Sequence, residues 1–238
     1  MPRIRQWFRG IFFGITRNPG KLQPTISMRF VETDLLNDYF WFENFRASAS
    51  MLNTDEQKEL VEIAWDSIRR AVVGKRAEPT AGTPKAHGEE SPLSWHMGVF
   101  VTLYKKKDLR GCLGLIASDE PLSESVAQMA GRSATEDPRF PPVSEVELAD
   151  IRIEISVLSP LKEISSIEEI HVGTHGIFLT AGMHRGLLLP QVAATHHWDR
   201  IQFLEETCIK AGLPRDQWKH AESRIYIFSA EIIEQELL

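Results

Sequence analysis

The stretch Ile151-Arg152-Ile153-Glu154-Ile155-Ser156-Val157 alternates strictly between apolar and polar side chains. A repeat of two is the repeat of a β-strand, so this segment reads as a strand with one buried and one polar face. It is the clearest strand in the chain, and the other elements are read around it. Thr54-Asp55-Glu56-Gln57 has capping-box form, with Thr54 as N-cap, and Val61, Ala64, Ile68 and Ala71 follow at helical spacing up to a stop at Gly74. Residues 75–95 read as a long loop. Val99–Tyr104 and Leu109–Ile116 read as a hairpin joined by the turn 105–108. Pro121 to Glu136 reads as a helix, which Asp137-Pro138-Arg139-Phe140-Pro141-Pro142 cannot continue because proline lacks the amide and clashes with the preceding turn.

Further on, Gly176–Thr180 and Gly186–Leu189 suggest two more strands. Asp199 caps a helix whose expected buried face carries Ile201, Leu204, Cys208 and Ala211, and Ile225–Phe228 closes the set. The expected order is α-β-β-α-β-(short α)-β-β-α-β. Strands outnumber helices and several are hairpin-linked, so the reading is α+β with mixed or antiparallel sheets, not a doubly wound parallel sheet.

Composition narrows the function classes. Apolar residues make up 42% and charged residues 25% of the 238, which is ordinary globular usage. The apolar runs are too short for a spanning helix, so no transmembrane segment is expected. A net charge of −6 and an isoelectric point near 5.8 argue against a nucleic-acid partner. Two cysteines are too few for a disulfide framework, which favours a reducing, cytoplasmic setting. The charge is uneven: residues 1–50 carry seven basic against four acidic residues, a balance of +3, which leaves −9 for the remaining 188. Ten of the 21 aromatics also fall in residues 1–50. That segment reads as a disordered extension or a misassigned start upstream of Met51, with membrane or partner contact as the lesser reading. Residues 51–238 form the body.

The most unusual chemistry lies in Leu109-Arg110-Gly111-Cys112-Leu113-Gly114. Glycine weakens a strand unless something must approach closely, and here two glycines flank a thiol. Arg110 could stabilise a thiolate or clamp an anion. The plainer alternative is a small buried cysteine beside a bulge. Cys208, on the apolar face of a helix, reads as core. His175 and His184 are candidate proton carriers. Glu168, His171 and His175 would converge only on a helix, which the intervening glycines disfavour, so no metal site is expected. Asp137 and Arg139 read as a rigid turn or as ligand contacts. Phosphate-binding glycine loops and the Gly-x-Ser-x-Gly elbow are absent from the sequence, and no cofactor is expected.

With the segments Gly98–Leu103, Leu109–Gly114, Glu136–Pro142, Ile153–Ser159, His175–Ile177, Gly186–Ala193, Trp198-Asp199, Phe203-Leu204 and Lys210–Leu213 in order, the chain resembles the AMMECR family. Bacterial members of that family are called AmmeMemoRadiSam system protein A. The resemblance runs from about residue 55 to 232. It implies two α/β subdomains with a cleft between them and the signature lying near it. It also implies two partners: a Memo-like protein related to extradiol dioxygenases and a radical S-adenosylmethionine protein. Where an acidic residue is expected before Trp198, this chain has Thr195-His196-His197.

On that resemblance the expected activity is cysteine-dependent small-molecule or protein modification, with a non-catalytic adaptor as the alternative. Cys112 would be nucleophile or redox thiol, Arg110 the anion clamp and His175 a base. Gly111, Gly114, Asp137, Arg139 and Gln191 would contact substrate.

Overall fold

The computed structural model describes residues 51–74, 88 and 90–235. The reading of residues 1–50 and most of the expected loop 75–95 lie outside them. The chain divides into two compact units. The first runs to Val157 and takes back the chain from Glu231, and the second is Leu158–Ala230.

In the first unit, α1 (Thr54–Val73) and α2 (Leu122–Thr135) cover one face of a four-stranded sheet. Its strands are β1 (Gly98–Lys105), β2 (Asp108–Leu115), β3 (Ile151–Leu158) and β8 (Ala230–Glu234), in the order β2-β1-β3-β8. The strand alternation decides which side chains meet the helices. Val99, Val101, Leu103, Leu113, Leu115, Ile151, Ile153, Ile155, Val157 and Ile233 join Leu60, Ile63, Ile68, Val126 and Met129 in one core. Each fully buried aliphatic side chain contributes about 1.5–3 kcal/mol. Phe100, Thr102, Tyr104, Cys112, Arg152, Glu154, Ser156 and Glu234 therefore occupy the opposite face. The β8 segment is tied to α1 at two points: Met51 N, ahead of the helix, donates to Glu231 Oε2 at 2.7 Å, and Trp65 Nε1, in mid-helix, donates to Oε1 of Gln235, just past the strand, at 2.8 Å.

The second unit holds the sheet β4-β7-β5-β6, built from Lys162–Glu163, Ser223–Phe228, Gly176–Ala181 and His184–Leu188, with every neighbouring pair antiparallel. Two helices accompany it, α3 (Pro190–Thr195) and α4 (Arg200–Lys210). Phe203, Leu204, Ile177, Ile170, Ala193 and Ile227 form its main core.

The fold is α+β, as the patterning indicates, with several local corrections. The N-cap of α1 is Asn53, whose side chain accepts from Asp55 N and Glu56 N while Glu56 closes the box. Thr54 is instead the first helical residue. Ile201 is 39% exposed, and Phe203 and Thr207 take the buried face of α4 that was expected to include it. Strands β4 and β8 and helix α3 carry no period long enough to be read from sequence. Among the described residues, no helix is long and apolar enough to cross a membrane.

Candidate functional site

Strand β2 lies at the edge of its sheet, and its pairing with β1 slips once. Leu103 faces Gly111 while Tyr104 faces Leu109, which leaves Arg110 as the extra residue of a β-bulge. A bulge breaks the alternation and re-aims its side chain. Arg110 consequently meets Glu147 in the short 3-10 turn Glu145–Asp150, with Nε donating to Oε1 at 3.2 Å and Nη2 to Oε2 at 3.1 Å. Lys105 Nζ donates to the same carboxylate at 3.0 Å, and so does Ser144 N. These donors, Arg110 foremost, hold the Glu147 carboxyl far below the ordinary carboxylate range. Arg110, the expected anion clamp, is thus paired with a carboxylate of its own chain.

The two signature glycines are packing devices. A Cβ on Gly111 would stand 2.2 Å from Ser133 O of α2, and one on Gly114 would stand 2.3 Å from the Phe100 ring. Ser133 Oγ also joins the two strands, accepting from Leu113 N at 2.8 Å and donating to Val101 O at 2.8 Å.

Cys112 lies between these glycines and is 2% exposed. It is paired with Thr102 across the hairpin, and the Thr102 hydroxyl donates to its Sγ at 3.3 Å. Its backbone is what the following turn grips. Cys112 N donates to Asp137 Oδ2 at 2.8 Å, and Arg139 Nη2 donates to Cys112 O at 3.2 Å. Arg139 also pairs with Asp137 through Nε at 2.8 Å and through Nη2, and its backbone N donates to Oδ1 at 3.1 Å. The turn Asp137-Pro138-Arg139 thereby satisfies the outward N–H and C=O of an edge strand, which would otherwise invite another strand.

Burial pushes the Cys112 thiol upward, and Asp137 and Glu154 add to the rise. Thr102 and Arg139 oppose it without prevailing. The guanidinium acting on the sulfur is that of Arg139, whereas Arg110, expected beside the thiol, is paired with Glu147. Asp137 moves the other way. Burial alone would raise its pKa, but the hydrogen bonds from Arg139 and Cys112 N overcome that and lower it.

Sequence reasoning missed the remainder of this face. Arg152 sits 4.9 Å from the Tyr104 ring centre and 3.7 Å from Glu234. Burial, with Glu154 and Cys112 next in weight, pushes Tyr104 up to about 12. Burial and then Glu234 raise Glu154, against the pull of Arg152. The strict alternation of 151–157 was the available signal, because it places Arg152, Glu154 and Ser156 together. Perturbed groups of different elements that act on one another mark a candidate site.

The other expected site residues belong to the second unit. His175 Nδ1 accepts from His171 N at 3.1 Å, and the two rings stand 5.2 Å apart in a turn, not a helix. Burial, and then His171, lower its pKa, so the neutral imidazole is favoured. Gln191 is half-buried in the first turn of α3, and His184 Nδ1 lies 3.1 Å from Ala211 O. Among the described residues, no three His, Cys, Asp or Glu side chains gather as metal ligands.

The family model for AMMECR1 matches residues 61–233. A protein of Thermococcus onnurineus is 44% identical over 189 residues, covering 74% of this chain and 89% of its own. A protein of Methanopyrus kandleri is 40% identical over 199 residues, covering 78% and 91%. The crystal structure of uncharacterized protein PH0010 from Pyrococcus horikoshii is similar at a TM-score of 0.65 and 41% identity, covering 74% of this chain and 90% of that one. With a match through both units that includes the bulged, glycine-flanked strand and its Asp–Arg turn, the chain belongs to the AMMECR1 family.

Proposed function

We propose that this domain is a non-catalytic binding module, an adaptor whose signature segment is architectural. The observation that carries this reading is the state of Cys112. Its sulfur is shielded, burial pushes its thiol up, and Arg110 is committed to Glu147. A thiol nucleophile needs the opposite: solvent access and a depressed pKa. The partners expected from the family resemblance, a Memo-like protein and a radical S-adenosylmethionine protein, are the first to try as binding partners. The cytosol suits the two free thiols.

Iodoacetamide labelling read by peptide mass spectrometry tests the reading. Cys112 in the native protein is expected to label as slowly as Cys208, which is 0% exposed, with both becoming reactive only in denaturant. Fast labelling of native Cys112 at pH 7, well under the unperturbed thiol pKa of about 8.5, would overturn the adaptor and restore cysteine-dependent modification.

A further inference from the structure

The two edges of the first unit's sheet differ. That of β2 is closed by the turn Asp137-Pro138-Arg139, which takes up the Cys112 N–H and C=O. That of β8 is open. Ser159 N donates to Ser229 O at 2.9 Å and Gln235 N to Ile153 O at 3.2 Å, so β8 runs antiparallel to β3 and turns the N–H and C=O of Glu231 and Ile233 toward it. The same groups of Ala230, Ile232 and Glu234 point away, and they have no hydrogen-bond partner among the described residues. None of these three residues is buried. Unpaired N–H and C=O groups in a row are a template for a further strand.

The chain itself arrives at this edge. Met51 N is held by Glu231 Oε2 at 2.7 Å, and residues 1–50 precede it. Within them Thr25, Ser27 and Arg29 alternate with Ile26, Met28 and Phe30, between Pro24 and Asp34. That is the repeat of a strand with one polar and one apolar face. Strand β8 offers the matching faces. On its helix side Ile233 is in the core, with Met51 and Trp65 half-buried against that core. On its other side the Glu234 side chain is 61% exposed.

We infer that residues 25–31 add to the open edge of β8 as a fifth strand of the sheet. Ile26, Met28 and Phe30 extend the apolar side next to Ile233. Arg29 stands on the side of Glu234 and complements its charge across the two strands. The link, residues 32–50, reaches up to about 60 Å, far beyond the roughly 4.8 Å between neighbouring strands. Because the link ends beside Glu231, the segment is present at this edge at an effective concentration on the order of millimolar. A strand from a second copy or from a partner protein has no such advantage. The inference goes beyond the binding-module reading and does not rest on it, since Cys112 plays no part.

Amide hydrogen exchange of the full chain, resolved by residue with NMR, tests it. The Ile232 and Glu234 amides are expected to exchange at least about a hundredfold more slowly than unbonded amides, whatever the protein concentration. Met28→Pro removes a donor and fixes φ in the middle of the added strand, and should bring both amides to within about tenfold of the unbonded rate. Arg29→Glu sets a like charge beside Glu234 and should lower their protection about threefold or more. Arg9→Pro, outside the segment, should leave both amides unchanged. The Ile155 amide, in the middle of β3, should stay protected in every variant and so report an intact sheet. The inference fails if Ile232 and Glu234 exchange as unbonded amides in the full chain. It fails equally if Met28→Pro or Arg29→Glu leaves their protection in place, or if Arg9→Pro removes it. Protection that grows with protein concentration would overturn it in favour of a second copy at this edge.

Discussion

Replacing Asp137 by alanine tests whether the turn after α2 holds the edge strand. Asp137 is 3% exposed, and its carboxylate receives Cys112 N, Arg139 N and the Arg139 guanidinium, whose side chain is 13% exposed. Truncation leaves that guanidinium without its counter-charge and the Cys112 N–H without its acceptor. Removing one partner of a buried ion pair costs about 3–5 kcal/mol. The orphaned N–H on its own would cost about 1–3 kcal/mol, but water entering the vacated space serves both groups, so the two losses do not add. The expected total is about 3–5 kcal/mol, or a fall in Tm of about 6–20 °C for a domain of this size.

Urea unfolding followed by far-ultraviolet circular dichroism measures the loss. Amide hydrogen exchange at Cys112 reports whether it is local to the strand edge. Asp137→Asn keeps a carbonyl oxygen for Cys112 N and should cost less than alanine. The sign of the pH dependence follows from the lowered carboxyl. Its stabilisation is complete above the unfolded value of about 3.9 and is lost as pH falls through the lower folded value. The gap between wild type and Asp137→Asn should therefore hold from pH 7 down to about 4 and narrow only below. A cost under about 1 kcal/mol for alanine, or a gap that closes between pH 7 and 5, refutes the reasoning.

Glu154 should show the reverse pH behaviour. Its carboxyl is raised above the unfolded value of about 4.3, so wild type loses stability as pH rises from there through the folded value. Glu154→Gln should be the more stable protein at pH 7.5 and lose that advantage near pH 4, and equal pH profiles would refute the assignment. Gly111→Ala should destabilise by about 1–3 kcal/mol or more, since its Cβ meets the Ser133 carbonyl at 2.2 Å and a helix backbone cannot turn aside. A thermal melt within about 1 °C of wild type would show that α2 can shift.

Local patterning was enough for much of the fold. The two-residue repeat of 151–157 marked β3 and its polar face, and the 3.6-residue repeats marked α1, α2 and α4. The prolines after Asp137 ended α2 where expected. The short pieces were not legible. Strand β4 has two residues, and β8 is built from Ala230-Glu231-Ile232-Ile233-Glu234, whose alternation is too brief to signal a strand. What makes β8 a strand is the neighbouring β3, because pairing comes from a partner 75 or so residues away rather than from the segment itself.

The signature shows the same division at the scale of one site. Its composition marked Arg110, Gly111, Cys112 and Gly114 as unusual and could not say what each one meets. The bulge that turns Arg110 onto Glu147, the helix carbonyl that requires Gly111, and the Asp137–Arg139 turn that closes on the Cys112 backbone all join residues distant in the chain. A sequence states which side chains share a face, since that depends on backbone periodicity alone. Whether a thiol is shielded and which guanidinium lies beside it depend on desolvation and on contacts between separate elements, so only the packed structure decides them.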